Sequence, residues 1–268
     1  MRVLAGLAVI VLLTACGGGG NHPSPSRAAV KAYLTHVNDI EFRMQLPLSQ
    51  VASATAAFGH ARYSSELTAS LAAAQNTLLD LYAQLVLVKP PPQARKLHSM
   101  LLTLVQRQAS LADQLRGLTI FNPAFASILR PLVTANVKTA KVLRATKKPA
   151  VVAAAIHSYR LTIHRIIPRV RKLQPPKVER PLYTAQLTRL AALDEQLAQL
   201  EQAVGAHDLT ALAQAEHAVS VASVSSDTRA NQLAQRAAVL AFNARVASVK
   251  ALSRQVQLER DRLQVSLP

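Results

Sequence analysis

The chain has 268 residues, with 31 Lys or Arg against 14 Asp or Glu, a net charge of +17, and half of its residues hydrophobic. A single Cys excludes an intramolecular disulfide, a Cys-based zinc site and a redox thiol pair. Eight Gly, five of them before residue 21, and no Trp argue against a turn-rich β fold and for long helices with cores of Ala, Leu and Val.

Arg2 is followed by an uncharged run from Val3 to Ala15. As a helix this run rises only about 20 Å, short of the roughly 30 Å hydrocarbon core, so residues 1–15 are expected to be a cleaved export signal rather than a span. No later segment is expected to be long and apolar enough to cross a membrane. The run closes with Leu13, Thr14, Ala15 and Cys16, which resembles the lipobox of bacterial lipoproteins. The resemblance covers this segment alone. It implies cleavage before Cys16, diacylation of its thiol and usually a third chain on the new amino terminus. Two acyl chains suffice for stable attachment, so the mature chain is expected on the extracytoplasmic face of a membrane. Residues 16–26, with Gly17 to Gly20 and two prolines, read as the lipidated Cys and a flexible tether, and 27–268 as the folded part.

Proline pairs at 90–92 and 175–176 separate long segments of helical periodicity, so each is expected to be a turn between helices. Laid over one another at an offset of 85 residues, their flanks coincide: Leu78, Leu81, Leu85 and Val88 fall on Ile163, Ile166, Val170 and Leu173. Downstream, Leu97, His98, Leu102, Val105 and Leu115 fall on Leu182, Tyr183, Leu187, Leu190 and Leu200. This predicts a duplicated helical hairpin, with related copies near 47–118 and 131–204. Asn122-Pro123 is expected to end the helix begun near Pro92, and Lys147-Lys148-Pro149 to break the next. Val152, Ile156, Tyr159, Ile163, Ile166, Val170 and Leu173 then alternate by 4 and 3, a heptad seam. Tyr183, Gln186, Leu190, Leu193, Leu197, Leu200 and Val204 repeat it, so the two helices are expected to pack antiparallel. Gly205 should stop that helix and Asp208 cap the next, a long C-terminal helix of about 208–265 that bends near Val219 to Asp227. Its apolar seam is Phe242, Val246, Val249, Leu252 or Ser253, Val256 and Leu263. The fold class expected is all-α: an elongated antiparallel bundle of six or seven helices.

Charge carries the functional signal. Without Arg2 the mature chain is +16, and thirteen of its basic residues lie between Arg130 and Arg180 with one acid, Glu179. No Asp or Glu occurs between Asp113 and Glu179. Arg160, Arg165, Arg169, Arg171 and Lys172 fall off the heptad seam and are expected to coat the outer surface of their helix with His157 and His164. Such a face is either ordinary solvated helix surface, attracted loosely to anionic headgroups beside the anchor, or a docking surface for anionic lipid headgroups, an envelope polymer or an acidic protein. Nucleic acid is disfavoured, because no aromatic residues interleave with the basic ones and no DNA-reading motif is present.

Chemistry is not legible. Asp194-Glu195 is the one adjacent acidic pair and is read as solvated charge. His36-x-x-Asp39 has Asp where the His-x-x-Glu of imelysin-like iron-uptake proteins has Glu, and Glu-x-x-His and His-Glu-x-x-His patterns are absent. No catalytic residue, metal ligand or cofactor is therefore assigned. His98 and Tyr183, equivalent in the two copies, either line a shared pocket or close the packing of their own hairpins, and Gln108 and Gln186 on the seams set register. The reading is a non-enzymatic, lipid-anchored helical adaptor or binding protein. Its competitor is a small-ligand or metal receptor with a pocket inside the bundle.

Overall fold

The computed structural model describes residues 25–58, 63–146, 148–208, 210, 212–214, 217 and 229–265. Cys16, the signal, most of the tether and the bend expected at 219–227 lie outside them. The protein is all-α. Among the described residues six α-helices have defined bounds: α1, Pro25–Phe58; α2, Ser65–Leu87; α3, Arg95–Ala145; α4, Pro149–Arg171; α5, Arg180–Ala206; and α6, Arg229–Val265. Residues 210, 212–214 and 217 are helical besides. A 3-10 turn, Pro92–Ala94, precedes α3.

Local chemistry explains most of the boundaries. Ser64 caps α2, its hydroxyl accepting from the Leu67 N–H at 3.1 Å. Both proline pairs lie in turns, between α2 and α3 and between α4 and α5. Pro149 opens α4 from the first turn, where its missing N–H has no intrahelical partner to lose. The end of α5 differs from the sequence reading: Gly205 lies inside its last turn, and His207 adopts the left-handed conformation at φ 54° instead. That geometry lets the Asp208 N–H reach back to the Ala203 carbonyl. The Asp208 carboxylate accepts from the Thr210 N–H at 2.9 Å, as an N-cap does.

The largest departure is α3, which does not end at Asn122-Pro123. It runs unbroken for 51 residues, about 77 Å, with Pro123 and Pro131 inside it. Each proline removes one ladder hydrogen bond and crowds the preceding turn, a penalty of about 3 kcal/mol. Tertiary packing offsets it, since Leu118 and Phe121 are buried on one side of Pro123 and Ile128 on the other. The Asn122 amide also donates to the Tyr63 hydroxyl at 2.9 Å, tying this turn to the start of the α2 hairpin. Pro47 is likewise inside α1, so the expected hairpin starts at 47 and 131 both fall within helices.

Two lobes share α3. In the first, α1, α2, the N-terminal half of α3 and α6 enclose a core that includes Val37, Ile40, Leu78, Leu81, Leu97, Leu101 and Val256. It continues along the same helices through Val51, Leu71, Ala112 and Leu115. In the second, Ile128 of α3 joins Ile156, Tyr159, Ile163, Ile166 and Val170 of α4 and Leu190, Leu193, Leu197, Leu200 and Val204 of α5. Both heptad seams thus face one another in the second lobe. At the junction Phe121 and Phe125 stack at 5.1 Å, and the Tyr183 ring lies 6.3 and 6.4 Å from them. Pro176 of the α4–α5 turn packs beside Gly117 of α3, where an added Cβ would meet the proline ring at an ordinary contact distance of 3.4 Å.

One apolarity expectation is corrected. The stretch Pro92–Ala145 contains a window of mean hydropathy 1.2, long and apolar enough to cross a membrane by length and composition, and only 17 % of that window is buried. Much of the apolar surface of α3, including Ile120, Val133 and Val137, is therefore exposed.

Candidate functional site

The basic residues of α4 separate into two flanks on either side of its buried seam. One runs through His157, Arg160, His164 and Arg171, spaced 3, 4 and 7, and faces α5. There Arg160 bonds Glu201 at 2.8 Å and Asp194 at 3.4 Å, His157 bonds Glu201 at 3.0 Å and His164 meets Asp194 at 3.2 Å. Arg160 is only 25 % exposed. These contacts correct two expectations: Arg160, His157 and His164 are a zipper between helices rather than free cationic surface, and Asp194 is their partner rather than solvated charge. The cause is tertiary, because α5 brings its carboxylates to the rim of the seam.

The other flank faces α3. Ala155, Ser158, Thr162, Arg165, Arg169 and Lys172 follow one another at spacings of 3 and 4, and so lie in one row. Arg165, Arg169, Arg171 and Lys172 are exposed. None of these four has an ion-pair partner among the described residues.

The upper part of this row forms one wall of an open groove of about 690 Å3 between α4 and the second half of α3. Arg130, Thr134 and Lys138 stand on the α3 side, Ser158 and Thr162 on the α4 side. Val142, Val151, Ala154 and Ala155 form its end near the α3–α4 turn. Its floor includes Tyr159 and Thr139, both buried, and the Thr139 hydroxyl donates to the Ala155 carbonyl at 3.4 Å. Burial raises the Tyr159 phenol above its ordinary value, so it remains protonated at neutral pH. No carboxylate is among the described residues that line the groove.

His98 and Tyr183 are not brought into a common pocket. His98 is buried in the first lobe, its Nδ1 3.3 Å from the Tyr33 hydroxyl. Tyr183 sits at the junction, its hydroxyl donating to the Val170 carbonyl at 3.3 Å. His36 and Asp39 are exposed on α1, and no group of three His, Cys, Asp or Glu that could hold a metal occurs among the described residues.

Sequence reasoning missed the groove and the charged contacts of α6. Glu259 is 5 % exposed and bonds Lys96 at 2.8 Å and Arg262 at 2.6 Å. Arg260 pairs with Glu41 of α1. Glu259 does occupy a seam position, three residues after Val256 and four before Leu263, and that spacing is the signal that could have found it. Compared with known proteins, the chain matches no family model, no curated protein and no solved structure.

Proposed function

We propose that this chain is an extracytoplasmic lipoprotein, anchored through acylated Cys16, that acts without catalysis as a helical adaptor holding an anionic envelope component near the membrane. The observation that carries the reading is the flank of α4 that faces α3. Arg165, Arg169 and Lys172 are exposed there in one row, continuous with a groove that holds Arg130 and Lys138. The stretch from 114 to 178 contains no acid to neutralise them. Cations on such a face each add roughly 1 kcal/mol of attraction to an anionic surface within a Debye length, and a nearby lipid anchor raises their effective concentration at it.

Flotation of the unlipidated chain with vesicles of phosphatidylglycerol and phosphatidylcholine tests the electrostatic part. The Arg165→Gln, Arg169→Gln, Lys172→Gln triple variant is expected to lose about tenfold or more in vesicle affinity, and added salt should weaken the parent chain in the same direction. Unchanged flotation would remove the basis for the reading. In cells, Cys16→Ala is expected to move the protein out of the detergent-soluble lipoprotein fraction and to abolish labelling by radioactive palmitate.

A further inference from the structure

The α3–α4 groove has a chemical gradient along its length, and the gradient favours one class of occupant. Near the α3–α4 turn its walls are aliphatic: Val142, Val151, Ala154 and Ala155. About one helical turn further on the lining turns polar, with Lys138 on the α3 side and Ser158 on the α4 side, and Arg130 and Thr162 lie at its far end. From Val151 to Ser158 the helix rises about 10 Å, room for roughly eight methylenes of an acyl chain, and the polar lining from Ser158 to Thr162 follows for the headgroup. The volume, about 690 Å3, falls within the range of small-molecule sites.

Resting on the basic-flank reading above, we propose that this groove binds a single anionic phospholipid. The acyl chain lies against Val142, Val151 and Ala155, and the phosphate is held by Arg130 and Lys138 with the hydroxyls of Ser158 and Thr162 as further donors. Arg165 and Arg169 continue the row past the headgroup and orient the protein on a surface of like lipids. A soluble polyanion would use the cations but gain nothing from the aliphatic half. The amphiphile uses both, removing hydrocarbon from water against the aliphatic walls. The surrounding surface agrees with a lipid neighbour, since Val133 and Val137 on α3 and Val151 and Leu161 on α4 are exposed beside the cations. Lys138 is suited to the boundary, where its stem can lie on hydrocarbon while its ammonium reaches the phosphate.

The test uses the full-length lipidated chain in phosphatidylcholine vesicles doped with a phosphatidylglycerol probe that carries a diazirine in its acyl chain. After irradiation, peptide mass spectrometry is expected to place the crosslinks in 138–142 and 151–158. Ala154→Trp, an exposed position, should fill the groove and lower their yield about tenfold. Arg130→Glu with Lys138→Glu, also at exposed positions, should do the same through the phosphate. A phosphatidylcholine probe of the same chain should label these peptides far less. Crosslinks spread over the outer face of α3, equal labelling by both probes, or displacement by soluble polyphosphate would each overturn the lipid site. If the site fails while the triple Gln variant still loses vesicle affinity, the adaptor reading stands without it. If vesicle affinity is indifferent to that variant, the underlying reading is the one that fails.

Discussion

His98 shows how much one buried polar side chain can reveal about a core of aliphatic residues. Burial pushes its imidazole below the ordinary value of 6.5, and the Tyr33 phenol, raised by burial and by the nearby Glu41 carboxylate, stays protonated. The hydroxyl and Nδ1 lie 3.3 Å apart, and the imidazole tautomer sets which of the two donates. For a base whose folded value is depressed, stability is fully present above the unfolded value and is lost as pH falls from there through the folded one. Thermal melts of the parent should fall as pH drops below about 6.5, and His98→Gln should flatten that fall while lowering the plateau by about 1 kcal/mol. An acid-side slope identical in parent and variant would assign the loss to another group. Tyr183, its counterpart at an offset of 85, makes a different kind of contact, to a carbonyl and two phenyl rings. Equivalence in sequence therefore did not carry equivalence of role.

Among the helices, α6 depends most on charge. It is rich in Arg, Gln and Ala, and Val249, Val256 and Leu263 are the apolar side chains it buries. Glu259 stands between the last two. A carboxylate at a seam position is costly to desolvate unless it is paired, and the Lys96 hydrogen bond, with help from Arg262, holds it below the usual carboxylate range. It therefore contributes stability above about pH 4.5 that is lost as pH falls through its folded value. Glu41 acts in the opposite sense, because burial raises it despite Arg260 beside it. Glu259→Gln should lower stability at neutral pH by about 1 to 2 kcal/mol and speed tryptic cleavage within α6, whose exposed Arg245 and Arg254 become cleavable once it lifts. Equal cleavage rates would mean that the apolar seam alone holds the helix.

For the molecule as a whole, the consequential feature is that two cores share one helix. The buried residues of the first lobe and those of the second form separate clusters, linked by α3 with its Phe121, Phe125 and Tyr183 contacts and by packing of α5 on α6, with the Gln235 amide donating to the Val178 carbonyl just before α5 at 3.4 Å. Leu81→Ala removes a fully buried side chain from the first core, at a cost of roughly 2 to 5 kcal/mol. Hydrogen exchange should then accelerate in α1, α2 and α6 while α4 and α5 keep most of their protection. Uniform acceleration would show a single cooperative unit.

Helix content, the turns at the proline pairs and the α4 and α5 seams were determined by the sequence alone, because periodicity and turn chemistry are local. Leu78, Leu81 and Leu85 and their partners Ile163, Ile166 and Val170 are all buried, as the shared spacing required, whereas Leu97 is buried and Leu182 is 46 % exposed. Only the tertiary structure decided that α3 passes through Pro123 and Pro131, that Arg160 is spent on Asp194 and Glu201, and that Lys138 and Arg130 share a groove with Ser158 and Thr162. Each depends on what a second helix brings across the gap: packing enough to override a local helix breaker, a carboxylate that cancels a charge, or a wall that turns a helix face into a groove. A residue's own neighbours in sequence carry no information about those partners, which are set by how amphipathic faces find one another in space.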